Sequence, residues 1–111
     1  MPMINLTCSK KIPKELLDEL SAIVAETIGK PEKYVMVVAS QADLMMSGTK
    51  DAAAYAEVKS IGGLNRIVNH ELTMKICILL NDHLGIAMDR IYVTFQSIES
   101  DHWGWNKSTF G

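Results

Sequence analysis

Apolar side chains recur along this chain at two spacings, and the spacings predict its elements. Pro2 to Thr7 is short and largely apolar, as a strand would be. Pro13 opens a stretch in which Leu16, Leu17, Leu20, Ile23, Val24, Thr27 and Ile28 share one broad helical face. Proline suits a first helical turn, whose N–H has no intrahelical partner, and Gly29 followed by Pro31 ends the helix. Tyr34 to Ala39 is then a nearly continuous apolar run, read as a strand covered on both faces. The order now repeats. Ala56 to Ile61 alternates as a strand does, and a helical pattern from Asn65 or Asn69 carries Leu72, Ile76, Leu79, Leu80 and His83 to Gly85. Arg90 to Phe95 forms the second apolar run.

The two halves superimpose at an offset of 56: Gly29 falls on Gly85, Val35 on Ile91, Val37 on Val93, Leu16 on Leu72 and Leu20 on Ile76. The chain is therefore expected to be one α/β domain over residues 1–111, built from a duplicated β-α-β unit at about 1–40 and 56–97. Right-handed crossovers would put both helices on one face of a four-stranded mixed sheet, with a short C-terminal strand or hairpin beyond it. One face then lacks cover. Val35, Val37, Ile91 and Val93 would point one way and Met36, Val38, Tyr92 and Thr94 the other, and both sets are largely apolar. In so small a domain the second face needs another subunit, so an oligomer is expected, with Trp103 to Phe110 sealing the contact.

Composition narrows the function classes. The 111 residues carry a net charge of -2 with Lys and Arg scattered, which argues against nucleic acid as the main partner. No run approaches the roughly 18 apolar residues of a membrane span. The N-terminus lacks the basic and apolar regions of a signal peptide, so the cytoplasm is the default compartment. Cys8 and Cys77 fit no metal or redox spacing and are expected to be reduced, with Cys77 buried in a helix. His70-Glu71 begins like the zinc-protease helix motif, but position 74 is Met, and no metal is expected.

Six segments, in this order and spacing, resemble the macrophage migration inhibitory factor family of tautomerases nearly end to end. They are Met1-Pro2-Met3, Gly29-Lys30-Pro31 with Tyr34-Val35, Leu44 to Gly48, Ser60-Ile61-Gly62-Gly63, Asp89 to Val93, and Gly104 to Phe110. The last is the most specific. The resemblance implies a homotrimer of doubled β-α-β subunits with an active site at each interface. It implies keto–enol tautomerisation of aromatic α-keto acids such as phenylpyruvate, and of dopachrome-like compounds, without metal or organic cofactor.

Carried over residue by residue, the resemblance makes Pro2 the general base once Met1 is removed. Burial and a nearby Lys30 would both disfavour the cation and leave a neutral amine near operating pH. It assigns Lys30 and the Ile61 backbone N–H to the substrate's oxygens, Tyr92 to the neighbouring subunit's side of the site, and Trp103, Trp105 and Phe110 to its mouth. Each has a plainer reading: a strand start at Pro2, a solvated Lys30, a strand end at Ile61, a core Tyr92, and aromatic packing anchors between subunits. Two positions depart from the family pattern. Thr94 stands where the animal proteins have a substrate-contacting asparagine. Lys50-Asp51-Ala52-Ala53 stands where they have Cys-x-x-Cys, so a thiol oxidoreductase activity has no residues to support it. The alternative function is a cytokine-like protein that binds a receptor or intracellular partner around a vestigial pocket, exported without a signal peptide.

Overall fold

The computed structural model describes residues 1–111. Strand β1 (Pro2–Cys8) leads to helix α1 (Lys14–Ile28) and strand β2 (Met36–Gln41). Strand β3 (Ala54–Ser60), helix α2 (Arg66–Leu84) and strand β4 (Ile91–Ser97) repeat that order, and a hairpin of β5 (Gly104–Trp105) and β6 (Ser108–Thr109) follows. The sheet order is β2-β1-β3-β4. β1 pairs parallel with β2 and antiparallel with β3, and β3 pairs parallel with β4. The duplicated unit and mixed sheet are those expected from the periodicities.

Period-2 alternation decides which face is buried. Pro2, Ile4, Leu6 and Cys8 of β1, and Ala54, Ala56, Val58 and Ser60 of β3, point to the helices and are buried. Against them α1 lays Leu16, Leu20, Val24 and Ile28, one residue per helical turn, and α2 lays Leu72, Ile76 and Leu80. Lys75 Nζ, held by Glu71 one turn earlier, donates to Thr27 Oγ1 at 3.0 Å and links the two helices. The opposite sheet face is open. Met36 (60%), Val38 (39%) and Tyr92 (64%) are exposed there, apolar surface that a soluble chain normally covers.

The repeat carries a register change that the 56-residue offset conceals. The helix ends and following strands match at 56, but Pro2 corresponds to Ala54 and Cys8 to Ser60, an offset of 52. The difference is one helical turn: α1 has 15 residues and α2 has 19, the extra turn lying at the start of α2. The second unit therefore begins at Ala54, not at 56. Asn65 caps α2, its side-chain oxygen accepting from Val68 N–H at 2.9 Å, which excludes Asn69 as the start. Pro13 is the N-cap of α1 and its helical turn begins at Lys14. Gly29 and Gly85 both end their helices in the left-handed region, at φ 80° and 66°.

Two further readings are corrected. The second strand does not start at Tyr34. Pro31 leads a 3-10 turn, Glu32–Tyr34, closed by Tyr34 N–H to the Pro31 carbonyl and Val35 N–H to the Glu32 carbonyl, and the strand begins only at Met36. The same turn recurs at Met88–Arg90 before β4. Cys77 is only half-buried on α2, because the helix gives its covered face to Leu72, Ile76 and Leu80; Cys8 is the fully buried cysteine.

Candidate active site

Pro2 occupies the first position of β1 and is fully buried. Its strand partner is Ser60, whose hydroxyl donates to the Gly62 carbonyl at 2.7 Å and whose carbonyl accepts from Ile98 N–H at 2.9 Å. These bonds tie the end of β3 to the turn that follows it. One residue beyond the Pro2–Ser60 pair, Ile61 N–H donates to the Met1 carbonyl at 3.2 Å. The Ile61 amide thus points at the peptide bond that precedes Pro2.

Gly62 and Gly63 continue in the left-handed region, at φ 72° and 81°. Here glycine is required for space as well as conformation. A Cβ on Gly63 would meet Ile28 Cγ2 at 2.7 Å and the Ile28 carbonyl at 3.2 Å, and the Lys30 side chain at 3.4 Å. A Cβ on Gly62 would lie 3.9 Å from Lys30 Nζ. The Lys30 stem therefore runs along the glycine turn, and its ammonium sits close enough to the chain terminus to act on it. The α-amine present here, that of Met1, is held below its ordinary pKa, first by burial and then by the Lys30 charge. Pro2 itself is fully buried with Met1 in place.

A cleft of about 680 Å³ opens beside the N-terminus. Pro2, Met3, Tyr34 and Met36 form one side, and Trp103 and Trp105 from the C-terminal segment form the other. Tyr34 enters the wall because the 3-10 turn ends there, and Lys33 Nζ lies 5.0 Å from the centre of its ring. The lining is mainly apolar and aromatic, the character of a pocket for a flat, small organic molecule. Sequence reasoning misses Tyr34 because it reads as a strand residue; Pro31, three positions earlier, is the signal that marks the turn.

The chain brings Pro2, Lys30 and Ile61 together at one end of the sheet, with Trp103 and Trp105 across the cleft. Lys30 and Ile61 lie against the terminus rather than on the cleft wall. Phe110 is outside it, stacked on Trp105 with ring centres 5.8 Å apart and planes within 9°, which braces the hairpin. Tyr92 and Thr94 are elsewhere. Tyr92 shares a row with Tyr55 and Thr7, whereas Pro2 shares one with Ser60 and Ser97. Five strand residues separate these rows, about 17 Å along the sheet. Thr94 is engaged within the chain, its hydroxyl 2.9 Å from that of Tyr55 on the open face.

Burial raises the pKa of both thiols, and neither cysteine is bonded to the other. No helix is long and apolar enough to cross a membrane.

Known proteins match the chain along its whole length. The family model described as macrophage migration inhibitory factor matches residues 1–111. The macrophage migration inhibitory factor of Rattus norvegicus is 36% identical over 114 aligned residues, covering 99% of each chain. Among solved structures, the macrophage migration inhibitory factor homologue from Prochlorococcus marinus superposes with a TM-score of 0.93 at 41% identity, covering 98% of this chain and 99% of its own. The Trichinella spiralis protein superposes at 0.91 with 32% identity, covering 97% and 99%.

Proposed function

The chain belongs to the macrophage migration inhibitory factor family, and from that premise we propose that it is a keto–enol tautomerase of aromatic α-keto acids such as phenylpyruvate. Membership carries the coarser statement, a protein of tautomerase or cytokine-like function. The base and substrate are the finer reading. Pro2 acts as general base after Met1 is removed, and the observation that supports this most is its position: a fully buried ring beside a backbone donor and a lysine.

The chemistry follows from those neighbours. A terminal proline is a secondary amine whose lone pair is fixed in direction by the ring. Burial and the Lys30 charge, which lower the pKa of the Met1 amine, act against protonation of this amine too, so it can take a proton from the carbon next to the substrate's carbonyl. As that C–H bond breaks, its electron pair forms the C=C bond and the carbonyl pair moves to oxygen. Ile61 N–H and the Lys30 ammonium stabilise the charge developing there or on the carboxylate. The Pro2 ammonium then returns its proton to the oxygen, which completes the enol and restores the base. No external acid, base or oxidant is consumed.

Within one chain Tyr92 lies five strand residues, about 17 Å along the sheet, from the Pro2 row and Thr94 three, about 10 Å, so in this reading both reach a site from a neighbouring protomer. The exposed Met36, Val38 and Tyr92 support a homotrimer closed over the open sheet face. Trp103 and Trp105 would hold the substrate ring, with Phe110 bracing Trp105.

The test is deuterium exchange at the methylene of phenylpyruvate, followed by NMR. Protein beginning at Pro2 is expected to accelerate exchange, and Pro2→Gly to lower kcat/KM about 10²–10⁴-fold. Absence of exchange with fully processed protein ends the enzyme reading. The cytokine-like alternative would keep its partner effect in Pro2→Gly.

A further inference from the structure

A second hollow, of about 250 Å³, opens beside the aromatic cleft and shares Met3, Trp103 and Gly104 with it. The rest of its lining is Lys59 from β3, Ile98, and His102 from a 3-10 turn, Ser100–His102. Strand register puts Lys59 there. It pairs with Met3 across β1 and β3, and alternation turns both to the open face of the sheet. The turn that carries His102 is held at both ends. His102 N–H donates to the Glu99 carbonyl at 2.9 Å, and Phe110 N–H donates to the carbonyls of Ser100 at 3.1 Å and Trp103 at 3.2 Å.

Charge sets this hollow apart. Lys59 is half-buried yet joins none of the chain's ion pairs, and Glu57, two residues along the same face, leaves it unpaired. His102 meets only Asp101, at 3.8 Å and with side chains 72% and 70% exposed, a contact that contributes little. No Asp or Glu lines the hollow or the cleft, whereas Lys33, Lys59 and His102 do. A half-buried ammonium with no counter-charge has lost hydration without compensation, and an arriving anion restores the balance.

We propose that Lys59 and His102 form a second anion subsite, so that the aromatic keto acid this chain prefers carries a further carboxylate on its ring. The keto-acid end lies with Lys30 and Ile61 and the ring lies in the cleft. The ring carboxylate passes Trp103 into the hollow, where Lys59 Nζ and a His102 ring N–H donate to it. The two negative ends of such a ligand each meet a cation across an apolar middle, whereas phenylpyruvate leaves Lys59 unpaired. The direction in which the ligand lies rests on the tautomerase reading; the subsite itself does not.

The probes are cinnamate, an aromatic monocarboxylate that cannot tautomerise, and its para- and meta-carboxy derivatives, titrated into the assembled protein that begins at Pro2. The tighter carboxy isomer is expected to bind at least ~10-fold more tightly than cinnamate. It should also shift the amide resonances of Lys59 and His102, which cinnamate leaves in place. Lys59→Gln should bring the affinity ratio close to unity, Lys59→Arg should keep most of it, and His102→Gln should lower it. Equal affinities for the three ligands overturn the proposal, as does a ratio that survives Lys59→Gln. A ratio lost equally in Lys59→Arg also overturns it, because the lysine would then act through packing and not through charge. Selective binding by a protein that does not turn over phenylpyruvate would instead remove the enzyme reading and leave the subsite standing.

Discussion

A single ammonium group is enough to alter the behaviour of the N-terminal amine, but it is the smaller of two influences. Burial depresses the Met1 amine first and Lys30 second. For an amine a depressed pKa means the neutral form dominates from a lower pH upward, so activity should be present above that pKa and lost as pH falls through it. Lys30→Gln removes the repulsion and leaves the burial. The acid limb of kcat/KM should therefore move to higher pH, yet stay below the ordinary α-amino range of about 7.7–8.0. A pH–rate profile checks this, and an unmoved limb would show that Lys30 does not act on the base. At this scale the sequence alone says little. Proline at position 2 is chemically mute until it is an amine, and only the resemblance marks it. The cap of α2 is open between Asn65 and Asn69 in the sequence because both are competent residues, and the bond from Val68 N–H to Asn65 settles it. Tyr34 stays hidden because a tyrosine ahead of an apolar run looks like a strand whether or not a 3-10 turn precedes it.

Helices are the most legible elements, since a four-residue spacing of Leu16, Leu20, Val24 and Ile28 has one explanation. Strand starts are less legible, because Pro31 and Ala87 each lead a 3-10 turn whose residues are compatible with strand. The register change from 52 to 56 is invisible from the matching helix ends, where the two units agree. The loop between β2 and β3 has few apolar residues in the core, and one side chain binds it at four carbonyls. Arg90 donates from Nε to the Ala52 carbonyl at 3.0 Å and from Nη1 to the Met46 carbonyl at 3.1 Å. Its Nη2 donates to the Asp51 and Thr49 carbonyls at 3.0 and 3.3 Å. A guanidinium suits this role because its donors form a fixed planar fork. Arg90→Ala should cost about 2–3 kcal/mol in chemical denaturation and expose the loop to proteolysis. Arg90→Lys should recover only part of that, since an ammonium cannot span four carbonyls.

For the whole molecule, the apolar open face is readable from strand alternation, and the exposed Met36, Val38 and Tyr92 lie where that alternation puts them. The antiparallel pairing of β1 with β3 is not, because no local pattern encodes which strands of two repeats meet. That pairing is what sets Pro2 beside Ser60 and Ile61. If the open face is an inter-subunit surface, Met36→Lys should lower the sedimentation coefficient toward that of the monomer. Tautomerisation should fall with it, since Tyr92 and Thr94 would no longer reach a neighbour's site. A monomeric but fully active Met36→Lys protein would dissociate the chemistry from assembly. The most direct test is a ¹⁵N titration of Pro2 in the assembled protein that begins at that residue. The nitrogen should titrate below the ordinary α-amino range, coincident with the acid limb of phenylpyruvate tautomerisation. A nitrogen that stays protonated throughout the neutral range while turnover continues would contradict it.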